Sequence, residues 1–254
     1  MRVSKLKIPT ILMIVLIALT YGIYTTYSNN SMSCQIWSRI PYGEYALENN
    51  RWGDKHADVC IFNNGYEVGW TWDKRFPSRH PIYPEVVYGW KPWWPKSTTD
   101  ELPRKISKIQ SLTIELNYTS TATSYSWYNA LIDIWIVRSS HPTPETITDE
   151  IGIFLETHGY FMERQKNKSL REGYEIVEVN GTTFIYVERR AFKWRFHKFY
   201  LVGDIPEKID VMPLIKYLGL SGDLYIASVE FGNEIYMGKG LTIVRQYHVR
   251  LWTP

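Results

Sequence analysis

Two cysteines in 254 residues are too few for a disulfide-built miniprotein, and 13 Pro with 16 Gly are too few for a collagen-like or disordered polymer. A hydrophobic share of 44% beside 22% charged residues excludes a multi-span membrane protein. A surplus of charge is missing too. There are 29 basic and 26 acidic side chains, but Arg2, Lys5 and Lys7 precede the first apolar run, and beyond them 26 face 26. A balanced body has no long-range field to steer a polyanion, so nucleic acid is not an expected partner. The histidines at 56, 80, 141, 158, 197 and 248 show no paired ligand spacing, and Cys34 lies far from Cys60. Neither a metal nor an organic cofactor is expected.

What is abundant is aromatic: 11 Trp, 19 Tyr and 9 Phe make up 15% of the chain. Rings of this kind favour β-strands and offer flat faces on which sugars stack. Residues 1–7 are basic and residues 8–24 carry no charge. That stretch reads as an export element, either a cleaved signal peptide or a retained membrane anchor, followed by a polar spacer up to residue 33. The rest of the protein, 34–254, would then lie outside the cell or on the outer face of its membrane. Export also places Cys34 and Cys60 where a disulfide persists, and a bridge between them is expected to stabilise by about 3 kcal/mol.

Period-two alternation runs through most of the body and predicts strands at 59–63, 67–72, 110–117, 125–137, 150–156, 174–179, 182–188, 192–202, 223–236 and 241–252. Asn180-Gly181 is a hairpin turn, since both residues accept positive φ at low cost. One short helix is predicted, capped by Asp210, with Pro213 in its first turn and Gly219 at its end. The class is all-β: one domain of two antiparallel sheets packed as a sandwich. The stretch 73–103, with Trp90, Trp93 and Trp94, reads as an ordered excursion and not as a domain boundary.

Three strands carry acids on the face turned away from the core. In DEIGIFLE (149–156), Ile151, Ile153 and Leu155 share one face, and Glu150, Gly152, Phe154 and Glu156 the other. In LIDIWIV (131–137), Ile132, Ile134 and Ile136 oppose Leu131, Asp133 and Trp135; in 228–238, Glu230, Gly232, Glu234 and Tyr236 share a face. A solvated outer face would mix both signs of charge, yet Lys and Arg are missing over 131–135 and 150–154. Two carboxyls across a groove suffice to cleave a glycosidic bond: one protonates the leaving oxygen, the other attacks or activates water.

The segments Cys34 with Trp37, ENNRWG (48–53), Cys60, WTW (70–72), YPEVVYGWKPW (83–93), NALIDIWI (129–136), DEIGIFLE, DVMPLIKYL (210–218) and EFGNEIYMG (230–238) stand in one order. In that order the chain resembles the family 12 glycoside hydrolases, endo-acting β-1,4-glucanases built on a β-jelly roll. The resemblance implies Glu150 as nucleophile and Glu234, in Phe231-Gly232-Asn233-Glu234, as general acid/base with a raised pKa. It implies Asp133 as the acid hydrogen-bonded beside the nucleophile, and Trp52, in the Asn50-containing ENNRWG segment, as a ring stacked on a sugar. Phe154, Trp135, Tyr88 and Trp90 are further candidates for the groove lining. Gly152 and Phe154 depart from the family's usual Met and Trp, which implies a wider groove or a weakened subsite beside the nucleophile. The implied substrate is a β-glucan of the cellulose or mixed-linkage type, cleaved with retention by a monomer. The alternatives are a non-catalytic lectin-like module and a sandwich hydrolase acting on xyloglucan, β-1,3-glucan or xylan.

Overall fold

The computed structural model of the chain describes residues 31–159, 162–164, 166, 167 and 173–254. The apolar run 8–24 and its reading as an export element lie outside these residues. No helix among the described residues is long and apolar enough to cross a membrane.

The strands are β1 (Ser31–Ser33), β2 (Arg39–Tyr42), β3 (Tyr45–Glu48), β4 (Asp58–Asn63), β5 (Val68–Lys74), β6 (Glu85–Gly89), β7 (Arg104–Lys105), β8 (Ser111–Ala122), β9 (Trp127–Val137), β10 (Ile147–His158), β11 (Glu175–Val179), β12 (Thr182–Ala191), β13 (Trp194–Leu201), β14 (Lys208–Asp210) and β15 (Tyr225–Trp252), with helix α1 (Met212–Tyr217) before the last. The larger sheet runs β2-β3-β6-β15-β9-β10-β13-β12-β11, with β7 beside the start of β15. The smaller runs β1-β4-β5-β15-β8-β14.

The sequence predicts two strands where β15 is a single one of 28 residues. Its first half pairs in the larger sheet and its second half in the smaller, and the passage lies at Gly238 and Gly240. Gly238 has φ +113, and a Cβ there would collide with Ser126, while one at Gly240 would collide with the Trp72 ring. Only glycine fits where one strand folds over from sheet to sheet. The larger sheet is also not wholly antiparallel, because β10 and β13 run parallel. The β11–β12 hairpin stands between them in sequence and returns the chain in the same direction.

β6 was missed inside the 73–103 excursion because it is five residues long and buried on both faces, which leaves no alternation to read. Elsewhere the predicted faces hold. Ile132, Ile134, Ile136, Ile151, Ile153, Leu155, Val229 and Phe231 are buried in one cluster with Trp70 and Trp72 of the smaller sheet. Burying a large apolar side chain contributes about 1.5–3 kcal/mol, so this layer fixes which way β9, β10 and β15 face. Asn180 and Gly181 form the two-residue turn with φ +51 and +76. Helix α1 is capped one residue later than expected, at Val211, although Asp210 Oδ1 still accepts the Met212 N–H at 3.1 Å. Cys34 and Cys60 are bonded.

On the core side of β10, Asp149 is fully buried and accepts hydrogen bonds from His197 Nε2 at 2.9 Å and Arg195 Nε at 2.8 Å. Burial opposes its ionisation, but the donors from His197, Thr148 and Arg195 prevail and hold the carboxyl below its usual range. This pins β10 to β13 one residue before Glu150. A depressed carboxyl stabilises the fold above its unfolded pKa of roughly 4 and loses that contribution as the pH falls through the folded value. Asp149→Asn should cost about 3 kcal/mol in urea unfolding at pH 7, with the gap to wild type closing below pH 4.

Candidate active site

Strand register places the acids. Glu150 on β10 lies opposite Trp135 on β9, which lies opposite Ser228 on β15. One step on, Gly152, Asp133 and Glu230 are level; then come Phe154, Leu131 and Gly232; Glu234 is level with Asn129. Six residues of β15 thus separate the level of Glu150 from that of Glu234, roughly 20 Å along a flat sheet. Yet both border one cavity of about 800 Å³, together with Asp133, Glu230, Trp135, Trp52 and Asn50. Side chains from both levels therefore reach one trough. Asp133, Gly152, Leu131 and Gly232 lie at the levels between.

Glu150 is partly exposed into the trough and accepts the Trp194 indole N–H at 2.6 Å. Burial pushes its carboxyl up to about 8, aided by the charges on Glu234 and Glu230 and opposed by Trp194 and Lys198. Glu234 accepts the Asn129 amide N–H at 2.9 Å. β9 and β13 enclose β10 from both sides, which buries the Glu150 carboxyl. Where carboxyls interact this closely the proton belongs to the group as a whole.

Asp133 is buried and its carboxyl is pushed well up, first by burial and then by Glu150. Trp194 supplies a hydrogen-bond donor to Glu150.

Trp52 and Asn50 border the trough, and Asn50 Nδ2 donates to Glu85 at 3.0 Å. Trp135 borders it as well. Phe154 does not: it is buried with Tyr83, Leu131, Phe196 and Tyr200. Tyr88 lies in the core between the sheets with its hydroxyl on Glu101, and Trp90 packs on Ala46, Val87 and Trp94 and donates to the Trp94 carbonyl. Gly152 does not widen the groove either. A Cβ there would lie 2.8 Å from the Phe196 ring of β13, which fills the space a larger residue would take.

Sequence reasoning missed Trp194, Trp93, Lys91, Glu48 and Glu85. The parallel β10–β13 pairing brings Trp194 to Glu150, and nothing local in the sequence specifies a pairing across 44 residues. Trp93, Trp135 and Trp194 meet edge to face at 5.0–6.5 Å. Lys91 was visible as a single charge among prolines and tryptophans.

A charge-assisted hydrogen bond contributes about 1.5–3 kcal/mol. Trp194→Phe should therefore lower kcat/KM on a soluble glucan by roughly 10-fold or more, with the acid limb of the pH profile moved up because the Glu150 carboxylate loses its donor. Unchanged kinetics would remove Trp194 from the site.

No family model matches the chain. In sequence it is similar to endoglucanase S of Pectobacterium parmentieri, 27% identical over 231 residues that cover 81% of each protein. In structure it is similar to a family 12 xyloglucanase of Bacillus licheniformis, with TM-score 0.75, 21% identity and coverage of 87% of this chain and 100% of the other. An endoglucanase of Rhodothermus marinus gives TM-score 0.72 at 19% identity, covering 88% and 100%. A metagenome-derived family 12 endoglucanase gives 0.72 at 20%, covering 89% and 100%. The resemblance read from the sequence holds: this chain has the jelly-roll fold of the family 12 glycoside hydrolases and a sequence likeness to an endoglucanase along most of its length.

Proposed function

We propose that the protein is an endo-acting β-1,4-glucanase that cleaves internal bonds of β-glucans with retention of configuration. The observation that carries this reading is the shared trough: Glu150 and Glu234, from strands separated by β9, border one cavity. A binding module has no use for two carboxyls converging from separate strands.

An extended glucan lies across the concave sheet with a sugar on Trp52, whose ring is exposed at the edge of the trough. Glu150 attacks the anomeric carbon while Glu234 donates a proton to the departing oxygen. Glu234 then takes a proton from water, and that water displaces Glu150 from the glycosyl-enzyme. The reaction needs Glu150 ionised and the proton on Glu234. Trp194 and Lys198 favour the first condition, and a glycosidic oxygen seated against Glu234 favours the second. Burial and the charge on Glu150 push the Asp133 carboxyl well up, which disfavours a second negative charge beside the nucleophile. Export, through residues 8–24, and action as a monomer belong to the same proposal.

Glu150→Gln should reduce kcat on mixed-linkage β-glucan to background, and Glu234→Gln should lower it about 10²–10⁴-fold. Proton NMR of the first products of wild type should give the β-anomer. Undiminished hydrolysis by both variants contradicts the assignment of roles. A panel that includes xyloglucan, β-1,3-glucan and xylan identifies the preferred polymer.

A further inference from the structure

Beyond the hydrolytic pair, the trough contains a charge cluster that the mechanism does not use. The Lys91 ammonium enters from the loop after β6 and ion-pairs with Glu48 of β3 at 3.2 Å, Glu230 of β15 at 3.4 Å and, more tightly, Glu85 of β6. All four are buried, and Glu48, Lys91 and Glu230 border the cavity. Glu48 also accepts from Arg39 Nε at 3.1 Å and from the Trp94 indole at 2.7 Å, and Glu230 accepts from Ser228 Oγ at 2.9 Å. Glu85 Oε2 and Glu230 Oε2 are buried without a hydrogen-bond donor.

We propose that Lys91 is a positioning residue for catalysis: its ammonium balances the carboxyls of the trough floor so that Glu150, in the same trough, can carry its negative charge. This rests on the reading of Glu150 as nucleophile. Burial pushes the Glu85 carboxyl well up, opposed by the charge on Lys91 and aided by that on Glu230. Lys91 and Arg39 are the cations paired with the carboxyls of this cluster. Without Lys91 the carboxyls of Glu85 and Glu230 lose their paired cation, and Glu230 lies directly opposite Asp133 in register and one step from the level of Glu150. The other ionisable groups bordering this space are Tyr83, Glu145, Lys193 and Glu234, and Lys198 bears on Glu150 from β13. Lys198 is a cation that bears on Glu150 directly, and it sits over the Phe196 ring at 4.5 Å. Surface ion pairs contribute little, but charges desolvated this fully act on their neighbours with little screening.

The test is the acid limb of kcat/KM against pH, which reports the free enzyme, in the full chain on soluble β-glucan. Removing a positive charge destabilises the Glu150 carboxylate, so Lys91→Met should move the limb up by about one pH unit. Glu230→Gln removes a negative charge and should move it down. The double variant should return it close to wild type, and Lys91→Arg should leave it there. A limb that stays in place in both single variants, or moves the same way in both, overturns the proposal. If Lys91→Met does not fold, the downward shift in Glu230→Gln and the double variant carry the test. Carbon-13 carboxyl titration by NMR, with Glu150 assigned through Glu150→Gln, reads the same shifts without turnover. A wild type that hydrolyses no glucan would therefore sink the functional reading and still leave the role of Lys91 to be decided by the titration.

Discussion

Like charges repel, and the concave face of the larger sheet gathers Glu48, Glu85, Asp133, Glu150, Glu230 and Glu234 around one trough. In a medium of low dielectric such a gathering is tolerated only if charges are neutralised or paired. The fold does both. Burial pushes the Asp133 and Glu85 carboxyls well up, Glu48, Glu85 and Glu230 are tied to Lys91, and Glu150 and Glu234 each keep one hydrogen-bond donor and an opening to the cavity. The two carboxyls left least encumbered are the two that glycoside chemistry requires.

Their meeting does not follow from adjacency in register. Glu230 is nearer to Glu150 by register, but it is buried and engaged by Lys91 and Ser228. Glu234 lies at a more distant level and still borders the same trough. Close backbone approaches along β15 lie at glycines. A Cβ at Gly232 would press on Pro84 and the Tyr83 ring, and beyond it β15 crosses to the smaller sheet at Gly238 and Gly240. The isoleucine layer of β9 and β10 secures the opposite face, and Asp149 with His197 and Arg195 holds β10 to β13 beneath the nucleophile.

The parts of this arrangement that follow from local chemistry were legible in the sequence. Alternation distinguished Ile151 and Ile153 from Glu150, and Ile132 and Ile134 from Asp133, because one face of each strand had to be apolar. Asn180-Gly181 declared its turn, and the two cysteines their bond. The parts that follow from pairing were not legible. Trp194 reaches Glu150 only through a parallel contact between strands separated by a hairpin, and Phe196 closes over Gly152 from the same strand, which is why a glycine that suggested a wider groove marks a filled one. Tyr88 suited groove and core equally, and its strand turns it to the core. Phe154, on the groove-side face, is covered by Tyr200 and Phe196. An aromatic ring suits a sugar platform and a core equally, and only its neighbours decide.

The most direct measurement is covalent trapping. A 2-deoxy-2-fluoro-cellobioside with a good leaving group slows the release of the glycosyl-enzyme, and peptide mapping by mass spectrometry locates the label. The account predicts one sugar per chain, attached to the Glu150 carboxylate and absent from Glu150→Gln. A label on Glu230 or Glu234, or one that persists in Glu150→Gln, would contradict it.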